Sequence, residues 1–329
     1  MDLDIVFLGT SASAPTAGRA PTALLVRRGG DRLLFDCAEG TQRQLMRSSL
    51  GLPDLDQIFL THYHADHTLG LPGLLKTFAL RGREVPLTVY GPPGLRELFN
   101  DLRRVFGKVT YPLETIEVRP GEALERDGYR ILGIPVHHGI SAVGYAVVED
   151  ERPGEFDPAG ADALGIPFGP ERGMLQRGES VTLADGRVVT PDAVVGAPRP
   201  GRRIVITGDT APVDTVRILS EGADVLVHEA TFSEEEHDRA ADTLHSTARQ
   251  AAEVARDARV RLLALTHISP RYFGNDLRAE AQEVFAATVV PRDFDVIEVP
   301  FAERGEPTLV KRGARPERTR PSDLPDPAA

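Results

Sequence analysis

Apolar residues along this chain come in runs of a few residues, separated by glycine, proline and acidic positions. Runs at 4–8, 22–27, 32–36, 57–60, 86–90, 129–136, 143–148, 203–207, 224–227, 261–266 and 294–298 predict strands. Between them the apolar spacing lengthens to a helical period at 40–48, 68–80, 93–105, 213–220, 246–257 and 276–287. The segment 246–257 opens on Ser246-Thr247, a helix start, and carries a stripe of alanines with Val254. Strands 22–27 and 32–36 flank Arg28-Gly29-Gly30-Asp31 at hairpin spacing, whereas later strands alternate with helices. Mixed sheets with helices on their outer faces accommodate both habits. The pattern therefore predicts an α/β (α+β layered) fold, an αββα sandwich.

Two stretches interrupt this rhythm. Residues 151–180 hold Pro153-Gly154, Gly165-Ile166-Pro167 and Gly169-Pro170, and read as a long insertion, a flexible arm protruding from the domain. From 312 to 329 the chain is proline-rich and charged, a composition expected to stay disordered. The expected organisation is one domain over 1–311, interrupted by the arm at 151–180, then a disordered tail.

Composition narrows the class. The chain has 329 residues, of which 41% are hydrophobic, enough to bury a sizeable core. The single cysteine, Cys37, rules out a disulfide framework, suits a reducing cytoplasm and, following Leu33-Leu34-Phe35-Asp36, reads as a buried thiol. The N-terminus has no basic leader before an apolar core, and no run approaches the roughly 20 apolar residues of a membrane span. A soluble cytoplasmic protein with no membrane partner is expected. The formal net charge of −11 argues against a polyanionic partner, although basic residues cluster locally at Arg103/Arg104/Lys108, Arg199/Arg202/Arg203 and from Lys311 to Arg320.

The chemistry is concentrated in Thr61-His62-Tyr63-His64-Ala65-Asp66-His67, directly after the apolar run Gln57–Leu60. Imidazoles and a carboxylate together suit zinc and its first-row neighbours. An extended segment turning into a helix cannot aim all four groups at one ion. His62 and His64 can share one site while Asp66 and His67 face a second, so two adjacent metals and hydrolytic chemistry are expected. Three further strands end in donors: His137-His138 after 131–136, Asp209 after 204–206, and His267 after 262–265. A carboxylate such as Asp209 can bridge two ions. Alternation sends His137 and His138 to opposite faces, so only one of the pair should ligate.

His62-x-His64-x-Asp66-His67 with His138, Asp209 and His267 resembles the pattern of the metallo-β-lactamase superfamily. Within it the chain resembles the ribonuclease Z group, the short-form tRNA 3′-processing endoribonucleases, over about residues 4–300. The resemblance is carried by Phe35-Asp36-Cys37-Ala38-Glu39-Gly40-Thr41-Gln42, Pro72-Gly73-Leu74-Leu75, His228-Glu229-Ala230-Thr231, His245-Ser246-Thr247 and Thr266-His267-Ile268-Ser269-Pro270-Arg271-Tyr272. It implies two Zn²⁺ per subunit, one on His62, His64 and His138, the other on Asp66, His67 and His267, with Asp209 spanning both. A hydroxide generated there would attack precursor tRNA, Asp66 would position it, and His245 oriented by Glu229 would protonate the leaving oxygen. The products would be a tRNA 3′-hydroxyl and a trailer bearing a 5′-phosphate. The arm, with Gly169, Pro170 and Arg172, would clamp the tRNA and reach a partner subunit's site, which implies a homodimer. Arg19, in the loop 15–21, would also meet substrate. His228, His237 and Glu39 are assigned no catalytic or ligand role.

Two departures stand out. The arm carries Glu151, Glu155, Asp157, Asp162, Glu171 and Glu179 against Arg152, Arg172 and Arg177, where relatives are often basic. In the 15–21 loop, Ala17 and Ala20 stand where relatives often have Lys and Asn, which bears on discrimination against tRNAs ending in CCA. The acidic surface keeps a rival in view: a small-substrate phosphodiesterase or arylsulfatase-like hydrolase of the same fold. Lactonase or thioesterase activity does not need an arm, and a non-catalytic scaffold would tolerate gaps in a ligand set that has none.

Overall fold

The computed structural model describes residues 2–48, 50–52 and 55–311; the tail expected to be disordered lies outside them. Among the described residues, an eight-stranded sheet runs Thr308–Val310, Val296–Glu298, Leu3–Gly9, Ala23–Arg28, Asp31–Phe35, Gln57–Phe59, Leu87–Gly91 and Leu113–Glu117. The hairpin and its N-terminal neighbour pair antiparallel, and the strands from Asp31 onward are parallel. A seven-stranded sheet runs Thr288–Val289, Leu262–Thr266, Val225–Glu229, Arg203–Ile206, Gly144–Glu149, Tyr129–Ile134 and Ala123–Arg126, its first four strands parallel. Strands covered on both faces read as unbroken apolar runs, and Val225–Glu229 and Leu262–Thr266 are buried throughout. Between the sheets Phe35 stacks on Phe59 at 5.0 Å, and Tyr145 lies 5.5 Å from Phe59 while its hydroxyl donates to the Leu60 carbonyl at 2.9 Å. That bond fixes the strand end from which the histidine-rich loop departs.

Helices Leu71–Leu80 and Leu95–Phe106 bury Leu71, Leu74, Leu75, Phe78, Leu95, Phe99 and Phe106 in the core under the first sheet, the spacing of one helical face. Helix Ala248–Asp257 begins with a capping box between Thr247 and Gln250, one residue later than expected, and buries Ala248, Ala251, Ala252, Val254 and Ala255. The helix expected over 68–80 is two, Ala65–Thr68 and Leu71–Leu80. They part at Gly70, where a Cβ would lie 1.9 Å from the Ala38 carbonyl oxygen.

Among the described residues the chain forms two compact units: residues 2–124, 131–147 and 203–311 in one, residues 125–130 and 148–202 in the other. The second is wider than the 151–180 insertion and is not an irregular loop. Helices Pro158–Ala163 and Pro170–Gln176 and strands Val181–Thr182 and Val188–Val189 surround buried Ala161, Ile166, Leu175, Val181, Leu183, Val189 and Val194. Prolines that read as breakers open these helices, a position where the missing N–H costs nothing. The outgoing and returning chains are tied by a buried pair, Arg202 donating through Nε and Nη2 to both oxygens of Glu149 at 2.7 and 2.8 Å.

Candidate metal centre

Parallel strands deliver their C-terminal ends to one edge of a sheet, the place where side chains from several loops can converge. Here Gln57–Phe59 leads to 61–67, Arg203–Ile206 to Asp209, and Leu262–Thr266 to His267. Three non-glycine residues around the centre, Asp36 (φ 58°) after strand Asp31–Phe35, Leu244 (φ 57°) after the helix His237–Thr243, and His267 (φ 55°), adopt the left-handed region. Such backbone costs on the order of 1–3 kcal/mol each and persists only where surrounding contacts hold it.

The donor atoms meet in two groups. His64 Nδ1 lies 3.1 Å from both His62 Nε2 and His138 Nε2. His267 Nε2 lies 3.2 Å from Asp66 Oδ2 and 3.4 Å from His67 Nε2. Asp209 Oδ2 sits between the groups, 3.6 Å from His62 Nε2 and 3.4 Å from both His67 Nε2 and His267 Nε2. A tetrahedral zinc with bonds near 2.1 Å places its ligand atoms about 3.4 Å apart, so these separations fit a shared ion.

Hydrogen bonds behind the rings set which nitrogen faces inward. His67 Nδ1 donates to Asp36 Oδ2 at 2.7 Å, and His138 Nδ1 donates to the Leu244 carbonyl at 3.2 Å. The Thr61 hydroxyl donates to Asp36 and can accept from His62 Nδ1 at 3.1 Å. Likewise the Thr231 hydroxyl donates to Glu229 and can accept from His267 Nδ1 at 2.8 Å. Each arrangement leaves Nε2 with its lone pair toward the centre, the arrangement a metal-binding imidazole requires. Asp209 Oδ1 is buried with no hydrogen-bond partner, an orphaned acceptor that a cation would satisfy. Burial and the neighbouring His67 hold His62 well below its ordinary value, hence neutral. Burial opposes charge on His67, yet Asp209 and Asp36 outweigh it and push that imidazole well above its ordinary value, so the carboxylates demand positive charge here.

Of the histidine pair, His138 enters the cluster, whereas His137 contributes backbone, its N–H to Thr210 Oγ1 and its carbonyl to Ala211 N–H. His245 stands beside both groups, its ring 5.6 Å from His267 and 5.0 Å from His138. Its Nδ1 donates to Glu229 Oε1 at 2.7 Å. Glu229 is buried and also accepts from Thr210 N–H at 2.8 Å and the Thr231 hydroxyl at 2.5 Å, so it is anchored as well as charged. Burial disfavours the imidazolium, but the Glu229 carboxylate prevails and raises His245 to about 9. The Ser13 N–H donates to Asp66 Oδ2 at 2.7 Å. Asp36, Thr61 and Thr231 are the partners that sequence reasoning did not assign; Asp36, at the end of an apolar strand, was the visible signal.

The candidate substrate residues are placed differently. The Arg19 guanidinium is half-buried, donating to Thr10 Oγ1 at 2.6 Å and the Pro291 carbonyl at 2.9 Å. Gly169, Pro170 and Arg172 belong to the second unit, where Arg172 points inward to the Ile166 carbonyl at 2.8 Å and to Asp162. Beside them Phe168 is 95% exposed. Outside the centre, His228 donates Nδ1–H to the Glu229 carbonyl, His237 pairs with Glu234 on the surface, and Glu39 is exposed.

A family model of the Metallo-beta-lactamase superfamily matches residues 17–151, and one of the Beta-lactamase superfamily domain matches 175–268. The chain is 47% identical over 311 residues to ribonuclease Z of Halorubrum lacusprofundi, covering 93% of this chain and all of that protein. The chain belongs to the ribonuclease Z family. Ribonuclease Z of Myxococcus xanthus is 46% identical over 305 residues, covering 92% of this chain and 99% of the relative. The crystal structure of human tRNase Z, short form, superposes with a TM-score of 0.65 at 28% identity, over 90% of this chain and 99% of that one. Among the described residues no helix is long and apolar enough to cross a membrane.

Proposed function

We propose that this chain is a metal-dependent endoribonuclease that removes the 3′ trailer of precursor tRNA, working with two zinc ions per subunit as a cytoplasmic homodimer. One geometric fact carries the reading: two donor triads share Asp209, and a Glu229-held imidazole stands beside them. The residues that would hold the ions are His62, His64 and His138 for one, Asp66, His67 and His267 for the other, with Asp209 between. Bound there, paired divalent ions supply a nucleophile from water near neutral pH and neutralise phosphate charge. Asp66, steadied by the Ser13 N–H, orients the attacking water and takes its proton. As the bond between phosphorus and the tRNA 3′-oxygen breaks, His245 delivers the proton that this oxygen needs, and Glu229 keeps its ring in place. The tRNA then ends in a 3′-hydroxyl, and the phosphate stays on the trailer's 5′ end.

The second reading, a phosphodiesterase or arylsulfatase-like hydrolase of small esters, is favoured by the net charge of −11 and by Arg172 being engaged internally. Zinc-loaded protein is incubated with a precursor tRNA carrying a 3′ trailer and, separately, with bis-p-nitrophenyl phosphate. Cleavage at the discriminator nucleotide supports trailer removal; hydrolysis of the small ester with intact tRNA replaces it by the rival.

A further inference from the structure

A cavity of about 400 Å³ opens against the loop that follows His267, lined by Thr16, Arg19, Ser269, Tyr272, Phe273 and Arg292 among others. The opposite wall is the loop whose Ser13 holds Asp66. A second cavity of about 560 Å³ shares Asn275, Val290 and Arg292 with the first and continues to Arg278 and Lys311. The two form one groove that begins at Ile268, the residue after His267, and reaches Lys311.

Its charge runs against that of the molecule. Arg278, Arg292 and Lys311 are exposed. The lining acids are engaged internally: Asp293 accepts from Ala20 N–H at 2.7 Å, Thr10 Oγ1 at 2.9 Å and Gln44 Nε2 at 2.9 Å, and Asp295 accepts from Arg292 N–H at 2.9 Å. Phe273, 80% exposed, lines the same cavity as Arg292. The chain behind it is pressed against the floor, since a Cβ on Gly274 would lie 2.7 Å from Arg19 Nη2 and 2.9 Å from Val290 Cγ1. An exposed ring followed by spaced cations suits a single strand, whose bases stack while its phosphates are neutralised. A duplex keeps its bases inside and would leave the ring without a partner.

We propose that this groove is the path of the 3′ trailer, with Phe273 stacking a trailer base and Arg292, Arg278 and Lys311 meeting successive phosphates. The proposal rests on the trailer-removal reading. In that reaction the attacking water and the departing tRNA 3′-oxygen occupy the ends of an in-line axis marked by Asp66 and His245, so the trailer's 5′-oxygen, which stays bonded to phosphorus, points to the side of that axis.

The test compares kcat/KM for precursor tRNAs with 1-nucleotide and 12-nucleotide trailers, in wild type, Phe273→Ala and the double variant Arg278→Glu/Lys311→Glu. Inhibition by a 5′-phosphorylated 12-nucleotide oligoribonucleotide is measured alongside. Wild type should favour the long trailer. Phe273→Ala should lower the long-to-short ratio about fivefold or more, the scale of one lost base stack. The double variant should flatten the salt dependence of oligonucleotide inhibition by about 1.4 in log–log slope, roughly 0.7 for each lost phosphate contact. A ratio and slope unchanged in all variants, with cleavage intact, would overturn the groove alone. Wild type cleaving neither precursor would instead overturn the functional reading beneath it.

Discussion

His245 and Glu229 pose the sharpest question at the scale of single residues. The imidazole stands beside both donor triads without belonging to either, and its partner carboxylate is among the most thoroughly bonded groups in the centre. His245→Ala is expected to retain both metals, by metal analysis, while losing a factor of about 10²–10⁴ in turnover, the usual worth of a positioned proton donor. Undiminished cleavage would remove the proton-donor role. Asp36 makes a complementary case. It touches no substrate, but it holds Thr61 and His67 from a left-handed backbone position. Asp36→Asn should lower zinc affinity or turnover by about 10–100-fold, read by chelator competition and steady-state rates. The inward-facing donors were legible because four costly groups crowd into one loop and others close strands. The ring partners were not: Thr231 is ordinary until folding sets it against ring nitrogens distant in sequence, and Asp36, though visible at the end of an apolar strand, gives no sign of which ring it meets.

Elements with uninterrupted apolar runs were readable from the pattern, which is why the central parallel strands emerge near their expected bounds. Leu113–Glu117 escaped because it alternates with charge and is nowhere fully buried, and Ala123–Arg126 is likewise half-buried at best. The second unit was misread for another reason. Its proline and glycine content resembles a loop, whereas Asp157 caps Pro158–Ala163 by accepting from Gly160 N–H and a small apolar centre forms behind it. A deletion confined to 153–178 would strand Val181, Leu183, Val189 and Val194. The better cut removes 154–197 and joins the chain by a short turn where Arg152 and Arg199 exchange backbone bonds at 2.8 and 2.9 Å. That variant should keep hydrolysis of bis-p-nitrophenyl phosphate and lose at least about tenfold in kcat/KM for precursor tRNA, a loss of about 1.4 kcal/mol in transition-state binding. Equal loss on both substrates would contradict a tRNA-gripping role for the unit.

For the whole molecule, an acidic chain that processes RNA must confine its cations, and two devices do so here. The carboxylates of the centre call for positive charge beside His67, and the groove past Phe273 shows its bases while its acids bond inward. Charge counted over the sequence could not reveal this, because the sum hides which side chains face each other. The central claim is that seven side chains gathered from separate strand ends hold two cations. Anomalous diffraction at the zinc edge from zinc-loaded crystals tests it most directly. The account predicts two peaks, one among His62, His64 and His138, the other among Asp66, His67 and His267, with Asp209 between them. A single peak, or peaks away from these groups, would contradict it.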